Sequence, residues 1–256
     1  MSLKVVTTLT SAIALLLSAN LYTLAAAELK VSGAAAVAGA IVMPNKAAIE
    51  KDTGLTLNIT VNGDGNGLKD LAAGKVDVAM IAAPIKITEA VLNKAAPGSL
   101  SVAGIEVAPV GAIGISFIVN AANPVKSLTE AQLKDIFTGK ITSWKDVGGA
   151  DKPILVVAEA AGFGTRSNIV ASLLGGTEIT DKARIMQALA QVGQVVGQAP
   201  DAIGYGNAAT IKSAGAVAAI PGVEVKQSLG LATKGAPNAD VKKLIEATAK
   251  YGAAVK

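Results

Sequence analysis

A strand, a glycine-rich turn and a helix follow one another without a spacer over residues 154–174, and no other stretch limits the fold of this chain as strongly. Ile154-Leu-Val-Val157 is a short apolar run, the pattern of a buried strand. Glu159-Ala-Ala-Gly162-Phe163-Gly164-Thr165-Arg166-Ser167-Asn168 comes next. Behind it Ile169, Val170, Leu173 and Leu174 recur at helical spacing and stop at Gly175-Gly176. A turn of this kind aims free backbone N–H groups and the positive end of a helix dipole at one point, which suits an anion. Gly162 and Gly164 let the backbone approach a ligand closely, Thr165 is placed to cap the helix, and Arg166 adds a positive charge. A plain strand-to-helix turn with no ligand fits this stretch alone equally well.

Composition narrows the chemistry. The chain has 256 residues, enough for one large domain or two modest ones, and 51% of them are hydrophobic. With no Cys and no His, thiol chemistry, imidazole bases and the usual zinc sites are excluded. A net charge of +4 is too mild, and an aromatic content of 3% too low, for nucleic-acid binding. No cofactor and no metal are expected. Carboxylate, Ser or Lys chemistry stays open, although no such residues are spaced as a catalytic set.

Residues 1–27 read as a secretory signal peptide. Lys4 supplies the positive start, Ala12-Ile-Ala-Leu-Leu-Leu17 the apolar centre, and Ala25-Ala26-Ala27 the small-residue cleavage pattern before Glu28. An uncleaved anchor is disfavoured because Ser11, Ser18, Asn20 and Thr23 dilute the apolar segment. A soluble monomer in the periplasm is expected.

From Leu29 to Val119, strands alternate with helices, the signature of an α/β domain with a largely parallel sheet. Leu29-Lys-Val-Ser32 runs into Gly33-Ala34-Ala35-Ala36, and a helix is expected past Pro44 to about Gly54. Leu55-Thr-Leu-Asn-Ile-Thr-Val61 alternates with the period of a strand and meets a second glycine turn, Asn62-Gly63-Asp64-Gly65-Asn66-Gly67. That turn has neither dinucleotide-fingerprint spacing nor a following G-K-[ST], so Rossmann and P-loop readings are weak. Val76-Asp-Val-Ala-Met-Ile81 is the third strand and leads into Ala82-Ala83-Pro84, while Ile113-Gly-Ile-Ser-Phe-Ile-Val119 is a long buried one.

After Asn123-Pro124, Thr129 and Gln132 form a complete capping box with Leu128 able to staple onto Leu133. Phe137 and the single Trp, Trp144, read as core. Thr180 to Gln191 reads as a helix, Val217–Ile220 and Val223–Val225 as short strands, and Asp240–Lys250 as an amphipathic helix capped by Asn238 or Ala239.

The run Asn123-Pro-Val-Lys-Ser-Leu-Thr-Glu-Ala-Gln-Leu-Lys-Asp-Ile-Phe-Thr-Gly-Lys-Ile-Thr-Ser-Trp-Lys-Asp-Val-Gly-Gly149 closely resembles the second lobe of the phosphate-binding proteins that serve bacterial ABC importers. Gly162-Phe-Gly-Thr-Arg166 resembles their G-S-G-T-R loop, and Val76-Asp-Val-Ala79 and Ala202-Ile-Gly-Tyr205 resemble their strand motifs. The likeness extends in order over essentially the whole mature chain. It implies an α/β clamshell of two lobes, each a mixed, mostly parallel sheet flanked by helices. Lobe one would comprise residues 28–110 plus 208–256 and lobe two residues 111–207. Crossings would fall near Val110–Ser116 and Gly204–Asn207. The implied partners are a small anionic ligand and an ABC permease in the inner membrane.

The resemblance places the ligand at Ala34, Ala35, Ala36, Asp64, Gly65, Asn66, Ala82, Ala83, Glu159, Phe163, Gly164, Thr165 and Arg166. Several of these depart from the family pattern. Relatives carry Ser or Thr where Ala34–Ala36 stand, Ser at Asp64, a polar or charged residue within Ile81–Ala83, Arg at Glu159 and Ser at Phe163. Losing three charge-assisted hydrogen bonds at about 1.5 kcal/mol each amounts to about 4.5 kcal/mol, roughly a thousandfold in affinity. Weak orthophosphate binding is therefore expected. Two other functions compete: a binding scaffold or sensor without import duty, and, least favoured, a hydrolase using Asp64 or Glu159, which lack a spacing that implies joint work. Amino-terminal sequencing of protein recovered from the periplasm should find Glu28 first; Met1 on the mature protein would refute the signal-peptide reading.

Overall fold

The computed structural model describes residues 26–253, so the expected signal segment lies outside the described residues apart from Ala26 and Ala27. Strand β1 (Ala27–Gly33) leads into α1 (Ala35–Val37), a π-helical turn at Ala38–Val42 and α2 (Met43–Thr53). Pro44 in the first turn of α2 has no N–H for the helical ladder, and the wider turn directly precedes it. Next come β2 (Leu55–Val61), α3 (Asp64–Ala72), β3 (Val78–Ile81), α4 (Ile85–Ala95) and β4 (Ile105–Asn120). The second half holds α5 (Glu130–Phe137), a 3-10 turn at Trp144–Val147, β5 (Leu155–Glu159), α6 (Gly164–Ser172), β6 (Arg184–Met186), α7 (Leu189–Gln198), β7 (Ala202–Gly206) and α8 (Ala208–Ala214). The chain ends with β8 (Val217–Lys234) and α9 (Ala239–Gly252).

The strands form one sheet in the order β2-β1-β3-β8-β4-β7-β5-β6. Its two flanks are parallel, β2-β1-β3 on one side and β7-β5-β6 on the other. The long antiparallel pair β4–β8 joins them. Ile105 lies opposite Lys234 beside β3, and Asn120 lies opposite Val217 beside β7. Gly204, in the stretch named above as the second crossing, pairs with Ile118 inside β7, and the strand that returns to the β1–β3 flank is β8.

Burial follows the apolar pattern. Phe117, Phe137 and Tyr205 are fully buried and touch in series, with the Phe rings 5.3 Å apart in an edge-to-face arrangement. Trp144 is buried as expected, and its indole N–H donates to Asp201 O at 2.9 Å. The Thr129–Gln132 capping box forms in full, and Asn238 caps α9 by accepting from Val241 N.

Three expectations fail. Thr180–Gln191 is not a helix: β6 adds to β5 at Arg184–Met186, and α7 begins only at Leu189. An exposed sheet edge here overrides local helix propensity. Val217–Ile220 and Val223–Val225 are not separate strands but one continuous β8, with Pro221-Gly222 sitting where the β4–β8 register shifts. Proline is tolerated in a sheet at such a bulge, so its breaker signal misled. Thr165 does not cap α6, because the cap position is Phe163 and no side chain bonds there.

Gly33 is indispensable to the β1–β3 pair. Its φ is 128°, and a Cβ there would lie 2.3 Å from Met80 O. Gly33→Ala should lower stability by about 2 kcal/mol or more, read as a lower urea midpoint at unchanged slope.

Candidate functional site

Three segment starts converge between the two halves. Asp64 opens α3 after β2, Ala82-Ala83 follows β3, and Gly164 opens α6 after β5. Helix starts carry unpaired N–H groups and partial positive charge, so the focus attracts an anion. The group at that focus is the Asp64 carboxylate, which is 2% exposed. Its Oδ1 accepts from Ala82 N at 2.6 Å, and the nearby N–H groups of Asp64 itself, Ala83 and Gly164 favour its charged form. Gly164 makes the approach possible, since a Cβ there would lie 2.6 Å from Asp64 Oδ2. Burial pushes the Asp64 carboxyl up to about 6, and the four N–H groups limit the rise.

Polar side chains tie the halves together around this group. Asn168 Nδ2 of α6 donates to Ala82 O and, at 3.0 Å, to Gly164 O. Gln227 Nε2 of β8 donates to Ala82 O at 2.9 Å, and Thr165 Oγ1 donates to Gln227 Oε1 at 3.4 Å.

Glu159, at the end of β5, is the second buried carboxyl. Burial, and then the negative charge of Asp64, push it up to about 8 against the opposing pull of the Thr165 hydroxyl and Arg166. Its Oε2 is buried without a hydrogen-bond partner, while its backbone N–H donates to Tyr205 OH at 2.9 Å. Arg166 is committed elsewhere: Nη1 donates to Glu159 O at 2.9 Å and Nη2 pairs with Glu178 Oε2 at 3.0 Å. The fold thus couples Asp64 and Glu159 electrostatically.

The other expected residues divide. Ala34 is buried and its N–H donates to Met80 O at 2.8 Å, Ala35 is exposed and Ala36 half-buried. Asn66 is exposed and its Nδ2 donates back to Asn62 O at 2.9 Å. Gly65 lies under Leu92 of α4, which also reaches Gly162, and Phe163 is half-buried. Sequence reasoning missed Gln227 and the interhalf role of Asn168. Gln227 had a signal: it is the polar member of the inward-facing series Val225, Gln227, Leu229, all buried. Beside the site runs an apolar cleft of about 420 Å³, lined by Ile81, Ala83, Pro84, Ile85, Val107 and Leu229 among others.

Among the described residues no three His, Cys, Asp or Glu side chains group as a metal site, and no helix is long and apolar enough to cross a membrane.

A chain with this sheet order and with helix starts from both halves meeting on one anionic group has the architecture of a clamshell binding protein, and the comparisons agree. The chain belongs to the PBP superfamily, whose domain model matches residues 21–253. It is 27% identical over 181 residues to the phosphate-binding protein PstS of Bacillus subtilis, an alignment that covers 71% of this chain and 57% of that protein. A phosphate ABC transporter substrate-binding protein from Clostridium perfringens, solved with bound phosphate, superposes with a TM-score of 0.71 at 27% identity over 86% of this chain and 92% of that one. An ABC-type phosphate transport receptor from Vibrio cholerae shares the fold, with a TM-score of 0.67 at 21% identity over 88% of this chain and 95% of that one.

The raised carboxyl values fix a pH dependence. Both acids take up protons more readily folded than unfolded, so their contribution to stability is greatest in acid and falls as pH rises through about 6 for Asp64 and about 8 for Glu159. Glu159→Gln should therefore flatten the fall in melting temperature between pH 5 and pH 9, gaining on the order of a few kcal/mol at the alkaline end and little in acid. Parallel profiles for parent and variant would refute the buried-carboxyl assignment.

Proposed function

We propose that this chain is an exported solute-binding protein of the phosphate-binding type. It closes two lobes on a small oxyanion in the periplasm, passes the anion to an ABC permease of the inner membrane, and performs no chemistry on it. The observation that carries the reading is a carboxylate, Asp64, seated where the starts of α3 and α6 meet Ala82-Ala83, accepting from Ala82 N at 2.6 Å with the Gly164 backbone against its other oxygen. The segments that meet there come from both flanks of the sheet, so capture of an anion requires the flanks to part and reclose on it. The strands that flex in this motion are β4 and β8, the pair that joins the flanks.

Orthophosphate binds weakly in this reading. The donors left to it are backbone groups, Arg166 is engaged by Glu159 O and Glu178, and the apolar Ala82 and Ala83 side chains offer no hydrogen bond. Calorimetry of phosphate-stripped protein at neutral pH should give a dissociation constant weaker than about 1 μM. Absence of binding heat with phosphate and sulfate up to about 10 mM would overturn the anion-carrier reading.

A further inference from the structure

We propose that the Asp64 carboxylate is a tethered occupant of the anion nest, an internal ligand that an incoming oxyanion must displace. The inference rests on the anion-carrier reading for its functional meaning and on geometry for its substance. A carboxylate is itself an oxyanion, and this one already takes the N–H of Ala82 at 2.6 Å and lies against the Ala83 and Gly164 backbone that a free anion would need. The nest is closed over it: Asp64 is 2% exposed, and Asn168 from the far side of the cleft and Gln227 from the central strand β8 both bond Ala82 O. No Cβ at Gly164 stands in its way, so the α6 start abuts the carboxylate directly.

The tether decides the competition. A group attached by one side chain to the site it fills has an effective concentration in the millimolar range or above, so a free anion competes only at comparable concentration or with additional contacts. The local cation that would supply such contacts, Arg166, is bound to Glu159 O and Glu178. A second observation points to an occupant that Asp64 only partly satisfies: Glu159 Oε2 is buried without a partner beside the nest. With its proton on, that group is a donor for an anion larger than a carboxylate. Asp64 therefore sets a threshold. The cleft stays self-filled when anion is scarce and exchanges its own carboxylate for the solute when anion is abundant.

The test compares the parent chain with Asp64→Ser in phosphate-free buffer at neutral pH. Amide hydrogen exchange at Ala82, Ala83 and Gly164 should be at least about tenfold faster in the variant, because nothing then fills the nest. Phosphate should bind the variant at least about tenfold more tightly than the parent. Equal exchange at the three amides overturns the proposal, whatever phosphate does. Different exchange with no phosphate uptake by either protein leaves the tethered occupant standing and removes the anion-carrier reading. Equal phosphate affinity in the two proteins overturns the proposal and leaves that reading intact. Should Asp64→Ser fail to fold, Asp64→Asn keeps the side-chain size and removes the charge. It should still bind phosphate more tightly than the parent, and equal affinity would overturn the proposal.

Discussion

The antiparallel pairing of β4 with β8 is the contact on which the rest of the molecule depends. Each parallel flank contains strands that need a neighbour on the side of the sheet centre, and β4 and β8 supply it: β3 pairs with Ala232 and its neighbours, and β7 with Ser116–Val119. The register of this ladder shifts twice, between Pro109 and Gly111 and between Ser116 and Ile118. Such bulges increase local twist, here in the ladder that joins the two flanks. The same ladder carries Gln227 to Ala82 O, placing a side chain of β8 at the centre of the cleft.

Within that frame the cleft is an electrostatic compromise. Helix starts and strand-end amides favour negative charge, while burial penalises it, and for Asp64 burial is the larger effect. The four N–H groups nevertheless hold its carboxyl near 6, so at neutral pH it is ionised. Glu159 meets burial and the Asp64 charge together and at neutral pH keeps its proton. Two carboxyls in one cleft thus occupy different protonation states, because their environments push them apart. The arrangement places one negative charge in the cleft, where two ionised carboxylates would repel each other.

Arg166 shows why composition alone does not define a binding site. It stands in the glycine loop where a charge for the ligand was expected, yet it is spent on holding the loop's own geometry through Glu159 O and on Glu178. A charge that braces a turn is unavailable to a solute. Tyr205 braces the same turn by accepting from Glu159 N–H, and burial, followed by the nearby Glu159, pushes its hydroxyl well above the usual range.

Local chemistry determined much of this in advance. A period-two run marked β2, an apolar run marked the core of β4, the capping box marked α5, Asn238 marked α9 and the glycine turn at Gly162–Gly164 marked where α6 would begin, since each depends on residues within a few positions of one another, whereas α3 starts at Asp64, inside the stretch expected to be a turn. The two-lobed class was legible from the same order of elements together with the family likeness at Asn123–Gly149. Only the tertiary structure decided the rest. It drew Arg184–Met186 into a strand at an open sheet edge and ran β8 straight through Pro221-Gly222. It also placed Asp64 against Gly164, Asn168 against Ala82 and Glu159 within reach of Asp64's charge. Each of these is a long-range pairing whose energy comes from burial and charge shared between distant segments, and no local pattern of residues encodes the dielectric in which a carboxylate will finally sit.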